Sequence, residues 1–202
     1  EMQGRLFDHD RKVVQLHFGG GTPTFHDDEQ LTVLMNQLGK HFSLSHKSSR
    51  EFSIEVDPRT VGSDRLEKLA EMGFNRISLG VQDIDPKVQA AVNRIQDSEA
   101  TLNMVEESRK LGFNSVSIDL IYGLPLQTAK SFEKTIDSVL TVRPNRLSGY
   151  NYAHLPPLFR AQRMINTEEV PEPEVRLELL ASTITKLGEA GYVCIGMDHC
   201  AL

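Results

Sequence analysis

Cysteine is scarce in this chain. Only Cys194 and Cys200 occur in 202 residues. That is no disulfide framework, and a reducing cytosol is the expected compartment. Their C-x5-C spacing matches no recognised metal motif, so two free thiols are expected. Positive charge is also short. The net charge is −6 and no Lys/Arg-rich block occurs, which argues against nucleic acid as the main partner. No apolar run approaches the roughly 18 residues that would cross a bilayer. No signal peptide is expected either. The chain opens on Glu1 rather than Met, and a trimmed piece of a longer protein is expected. Linkers and low-complexity stretches are absent, so residues 1–202 read as one domain. Pro156-Pro157 and Pro171-Glu172-Pro173 mark an excursion within it.

What is present is an alternation of strands and helices. Apolar segments at Val13 to Phe18, Phe52 to Val56, Asn75 to Val81, Ser115 to Tyr122, Arg146 to Tyr152 and Tyr192 to Met197 predict six strands. Several are apolar on both faces, as buried parallel strands are. Between them run stripes at helical spacing: Leu31, Leu34, Met35, Leu38 and Phe42; then Leu66, Leu69 and Met72; then Met104, Val105, Ser108 and Leu111. Phe132, Ile136, Val139 and Leu140 form a fourth, and Leu180, Ile184 and Leu187 a fifth. Met72-Gly73-Phe74-Asn75 and Leu111-Gly112-Phe113-Asn114 repeat one theme and read as equivalent helix-to-strand joints. A right-handed series of βα units gives a βα barrel or a doubly wound sheet, with ligands at the carboxyl ends of the strands.

Polar residues gather at those ends. Gly19-Gly20-Gly21-Thr22-Pro23-Thr24 closes the first strand. Residues without Cβ let a backbone approach a ligand, and free N–H groups suit a carboxylate; a plain tight turn explains the run equally well. It is not G-x-G-x-x-G and no Lys follows, which argues against a phosphate loop. Glu55 and Asp57 end the second strand on one face, placed for an ammonium, ribose hydroxyls or an Arg partner. Gln82 and Asp83 end the third, and Arg94 follows one short helix later, where it either clamps a carboxylate or lies solvated. Asp119 sits inside Val116-Ser117-Ile118-Asp119-Leu120-Ile121. A carboxylate buried there needs a partner, so it is the strongest candidate on physical grounds. His154 and His199 follow the last two strands without an assigned role.

These segments resemble the oxygen-independent coproporphyrinogen III oxidases (coproporphyrinogen dehydrogenases), a family of the radical S-adenosylmethionine (SAM) superfamily. The resemblance runs from about Val13 to Ala201. It rests on HFGGGTPT at 17–24, SIEVDPR at 53–59, NRISLGVQD at 75–83, NRIQD at 93–97, IDLIYGLP at 118–125, YNYAHLP at 150–156 and IGMDH at 195–199. Some of these are shared with a sister family of haem chaperones, which bind haem and SAM without porphyrinogen turnover. NRIQD, NYAH and GMDH are similar to the oxidases instead. A βα-barrel aldolase without SAM would need a strand-end Lys or a metal cluster, and neither is seen.

The resemblance implies an α/β fold: a partial, open βα barrel of the radical SAM type, its first strand missing. The C-x3-C-x2-C motif that the family carries on that strand has no counterpart here. A 4Fe–4S cluster is therefore implied for the full-length protein and not for this chain. By motif match Gly20, Gly21, Thr22, Glu55, Gln82, Arg94, Asp119 and Ala153 would line sites for SAM, two molecules side by side. A SAM-derived radical would remove a hydrogen from a propionate arm. Loss of CO2 and an electron would then leave a vinyl group, twice per coproporphyrinogen III. An electron donor and an electron acceptor are implied partners; nucleic acid and membrane are not. Arg94 and Arg163 are possible cations for the substrate's carboxylates.

Overall fold

The computed structural model describes residues 11–202. In chain order the elements are β1 (Lys12–Val13), β2 (Gln15–Phe18), α1 (Asp28–His41), β3 (Ser43–Leu44), β4 (Glu51–Val56), α2 (Ser63–Glu71), β5 (Arg76–Gln82), α3 (Pro86–Ala91), α4 (Ser98–Lys110), β6 (Ser115–Tyr122), α5 (Ala129–Thr141), β7 (Arg146–Asn151), α6 (Pro173–Glu189), β8 (Val193–Gly196) and β9 (His199–Ala201). They divide into two compact units. One holds the described residues up to Leu79 with Glu106–Val116; the other holds Gly80–Val105 and Ser117–Leu202.

In the first unit β4 pairs in parallel with β2 and with β5, in the registers Leu16↔Phe52 and Ile54↔Ile77. Alternation along β4 sinks Phe52, Ile54 and Val56 and leaves Glu51, Ser53 and Glu55 on the other face. Helix α1 starts with a capping box, in which Asp27 accepts from the Gln30 N–H and Gln30 returns the contact. Its stripe is narrower than the spacing predicts: Leu31 and Met35 are buried, but Leu34 is exposed. The two helix-to-strand joints are equivalent, as expected. Gly73 and Gly112 have φ of +97° and +88°, a region that suits glycine at a helix end. Phe74 and Phe113 then donate back to Leu69 and Ser108 and are buried. Asn75 completes the first joint: its amide accepts from Phe52 N–H at 2.9 Å and donates to Arg50 O at 2.8 Å.

In the second unit β6 pairs in parallel with β7, in the registers Asp119↔Ser148 and Tyr122↔Asn151. Its core includes Ile118, Leu120, Phe132, Ile136, Val139 and Leu179. Helix α5 is capped by Thr128, which accepts from Ser131 N–H. Parallel strands joined through helices bear out the α/β expectation, with two corrections. The sixth strand, expected from Tyr192 to Met197, is present as β8, but the chain then turns back into an unexpected strand, β9, which pairs antiparallel with both β8 and β7. Met197 and Asp198 both have positive φ, 49° and 66°, the geometry of a tight hairpin turn. The two cysteines are not free. Cys194 lies opposite Cys200 across the hairpin, their side chains share a face, and a disulfide joins them.

Candidate functional site

In the first unit the glycine turn and the end of β4 meet. A Cβ on Gly19 would run into His17 Nε2 and stand 2.7 Å from Glu55 Oε1. With any larger residue there, the His17 and Glu55 side-chain ends would have to shift from these positions. At Gly20 and Gly21 a Cβ would meet nothing within 4 Å; these residues are open to a ligand. Gly20 N–H donates to Glu55 Oε2 at 3.2 Å, and His17 Nε2 lies 3.2 Å from Glu55 Oε1. A carboxylate only accepts, so that ring nitrogen carries the proton. His17 Nδ1 contacts Ser53 Oγ at 2.7 Å. The Glu55 side chain stays 39% exposed. The result is a carboxylate steadied on one side and open on the other, which suits an ammonium group or sugar hydroxyls. Thr22 and the glycines before it are exposed.

Asp57 does not belong to this set. Its carboxylate is buried against Arg59, with Oδ2 2.7 Å from Nη2, and it caps the turn that follows. His17 had no place in the expected site. Its signal was register: it pairs with Ser53 and so shares the face of Glu55, a relation between residues 38 positions apart.

In the second unit β5 ends at Gln82, whose φ is +67°. Asp83 follows and is sealed at 1% exposure. Its Oδ1 accepts from Thr135 Oγ1 at 2.7 Å and Asp85 N–H at 2.8 Å; its Oδ2 accepts from Gln127 Nε2 at 2.5 Å. Burial pushes its carboxyl pKa up, and these donors together with Ile84 N–H pull against that. Gln127 Oε1 in turn accepts from Gly123 N–H at 2.6 Å and Leu124 N–H at 3.0 Å. One buried carboxylate thus fixes the end of β5 and, through Gln127, the loop leaving β6.

Arg94 folds back onto β5. Its Nη2 donates to Gly80 O at 2.8 Å and its N–H to Gln89 O; it is not the solvated helix face that one reading allowed. Asp119 shares a face with Ser117 and Ile121, half-buried, while Val116, Ile118, Leu120 and Tyr122 are buried. The full burial inferred from its apolar neighbours is corrected by this alternation. Ala153 lies exposed past the end of β7, its carbonyl accepting from Gln162. Arg163 donates to Pro156 O. The two histidines serve separate contacts. His154 bridges Tyr152 Oη and Thr167 Oγ1, and His199 Nδ1 meets Ser148 Oγ at 2.8 Å. Among the described residues no group of three His, Cys, Asp or Glu side chains is placed to hold a metal ion, and no helix is long and apolar enough to cross a membrane.

Within each unit, then, the candidates stand at or near the carboxyl ends of parallel strands. The radical SAM superfamily model matches residues 2–139. A Pseudomonas aeruginosa protein named oxygen-independent coproporphyrinogen III oxidase is 50% identical over all 202 residues, which cover 44% of it. The Escherichia coli protein of the same name is 48% identical over 191 residues, 95% of this chain and 41% of that one. The chain therefore spans less than half the length of these relatives. The solved structure of E. coli coproporphyrinogen III oxidase (HemN), described as a radical SAM enzyme, superposes with a TM-score of 0.94 at 47% identity, over 99% of this chain and 45% of that one. An Elp3 structure from Methanocaldococcus infernus shares the fold alone, at 18% identity and a TM-score of 0.68. On these grounds the chain belongs to the radical SAM superfamily and carries its α/β fold.

Proposed function

We propose that the protein containing this chain is an oxygen-independent coproporphyrinogen III oxidase of haem biosynthesis, with residues 1–202 forming its radical SAM-type core. One observation carries this reading: the 50% identity to the P. aeruginosa oxidase extends over the whole chain. In the reaction a propionate arm, R–CH2–CH2–COO−, loses a hydrogen atom, CO2 and one electron and becomes R–CH=CH2. Two such losses convert coproporphyrinogen III to protoporphyrinogen IX, and the electrons require an acceptor. We place the work in the cytoplasm, with an electron donor and no membrane or nucleic-acid partner.

Bound SAM supplies the hydrogen-abstracting chemistry. The residues present fit it: an open, part-exposed Glu55 carboxylate beside glycines with free space above them. We assign Gly20, Gly21, Thr22 and Glu55 to one set of SAM contacts, and Gln82, Arg94, Asp119 and Ala153 to others, enough for two molecules. His17 holds the Glu55 carboxylate in place, and the Glu55 charge orients an ammonium group. The residues present do not fit a 4Fe–4S cluster, because the two cysteines are bonded to each other and a cluster site needs cysteine thiolates.

The test is turnover under anaerobic conditions by the complete natural protein. Protoporphyrinogen and 5′-deoxyadenosine should form together, and Asp119→Asn should depress both while the melting temperature holds. A loaded protein that cleaves SAM yet leaves coproporphyrinogen III untouched would overturn the assignment.

A further inference from the structure

A net charge of −6 disfavours an anionic ligand, so a ligand with several carboxylates requires a local cation. Arg94 is turned onto β5 and Arg163 onto Pro156. Arg176 is different. It lies in the first turn of α6, and its side chain reaches back to the paired ends of β6 and β7. Nη1 approaches Tyr152 O at 3.5 Å, the outer limit of a hydrogen bond. Nε is buried without a hydrogen-bond partner, as several other buried side-chain atoms among the described residues are, but here the group also lines a cleft. Among the described residues no carboxylate forms an ion pair with it. A buried guanidinium N–H left unmade is costly, and that cost is relieved when an acceptor arrives.

The surroundings suit one kind of acceptor. Beside the guanidinium lies a cleft of about 300 Å3, lined by Tyr122, Asn151, Pro173, Arg176 and Leu177. Tyr122 and Asn151 are register partners at the strand ends. Pro173 and the well-exposed Leu177 give the cleft an apolar wall. Gly123, at φ +84°, makes the approach possible, since a Cβ there would stand 2.6 Å from Arg176 Cδ. The guanidinium field also reaches Tyr122. Burial and Asp198 raise the phenol's pKa, and Arg176 opposes them.

We propose that this cleft is a carboxylate-binding subsite, in which the Arg176 fork and the Asn151 amide hold the acid end of a short apolar arm. Resting on the function proposed above, that arm is one propionate of coproporphyrinogen III. An Arg fork matches a carboxylate in bidentate fashion, which a lysine ammonium does not. Arg176 is thus a substrate-binding residue outside the set of SAM contacts assigned above.

The experiment compares wild type, Arg176→Gln and Arg176→Lys in the complete natural protein, anaerobically, with SAM saturating. For Arg176→Gln the KM for coproporphyrinogen III should rise about tenfold to a hundredfold. Its kcat and its KM for SAM should stay within about twofold. Arg176→Lys should fall between. A porphyrinogen KM within twofold of wild type, in a variant that melts near wild type, overturns the subsite. If Arg176→Gln melts far lower, Arg176→Lys decides by the same criterion. A separate titration with coproporphyrin III, read by fluorescence, keeps the two proposals apart. Wild type that binds it but turns nothing over sinks the enzymatic reading alone. Equal binding by wild type and the folded Arg176 variant sinks the subsite.

Discussion

Asp83→Asn probes the joint between two loops. The substitution keeps the side chain's volume and replaces one acceptor oxygen with a donor. If the new NH2 takes the Oδ2 position it faces Gln127 Nε2, donor against donor; in the Oδ1 position it faces the Asp85 N–H. Thr135 can turn its hydroxyl, but a backbone N–H cannot. Either way one buried donor loses its acceptor, at about 1–3 kcal/mol. The remaining bonds lose their charge assistance as well. Opposing this, Asn carries no charge to desolvate, and burial is what drives the Asp83 pKa up. The net expectation is a loss of about 2 kcal/mol, or roughly 4–8 °C in melting temperature for a chain of this size. The pH dependence has a definite sign. With its native pKa raised, folded Asp83 holds its proton above the unfolded value of about 3.9. The native state then binds more protons, and stability falls as pH rises through the window up to the native pKa. The gap between wild type and variant should therefore narrow as pH rises from about 4. Thermal unfolding by circular dichroism measures the loss, and hydrogen exchange at Gly123 and Leu124 reports whether Gln127 has let go. A variant as stable as wild type, with unaltered exchange at those two amides, would refute the reasoning.

Other perturbations separate scaffold from site. Glu55→Gln should weaken SAM binding about tenfold or more, by calorimetry on the complete protein, while leaving melting within about 2 °C, because the carboxylate is part-exposed and its protein partners are few. Reducing Cys194–Cys200, which are six positions apart, should lower stability by about 2 kcal/mol on loop-closure grounds; a thiol titration that finds both cysteines free in untreated protein would remove that disulfide. Anaerobic reconstitution of residues 1–202 with iron and sulfide should yield no stable cluster chromophore, and a stoichiometric one would contradict the ligand count.

Much of this architecture was legible because its causes are local. Strand β6 has the bounds Ser115–Tyr122 that its apolar run predicts. The Gly-Phe-Asn joints announce themselves, since a glycine at a helix end and an aromatic after it do the same work twice. The misreadings have nonlocal causes. Met197 is an unusual residue for a left-handed turn, so Ile195-Gly196-Met197 reads as a continuing strand, and the reversal that pairs Cys194 with Cys200 stays hidden. Asp119 looked sealed because each neighbour in sequence is apolar, yet only one face of β6 is buried. The partners of His17 come from β4, 36 and 38 residues away. Arg176 is silent in sequence, because its meaning depends on where α6 carries it.

Saturation of hydrogen bonds sorts these polar residues better than position does. Asp83 and Asn75 sit near strand ends, as Glu55 and the Arg176 guanidinium do, but both are sealed and their polar atoms are hydrogen-bonded within the chain. Neither is open to a ligand, and their chemistry ends in the scaffold. Glu55 keeps an open side beside two glycines with free space, and Arg176 keeps a buried N–H without an acceptor next to a cleft. Their polar capacity is incomplete within the chain. A buried unmet donor calls for an explanation, and at Arg176 the adjoining cleft offers one, an acceptor from outside the fold. On that ground Asp83→Asn should shift stability most, whereas Glu55→Gln and Arg176→Gln should shift ligand affinity most, and a single set of melting curves and titrations across the three variants distinguishes the two classes.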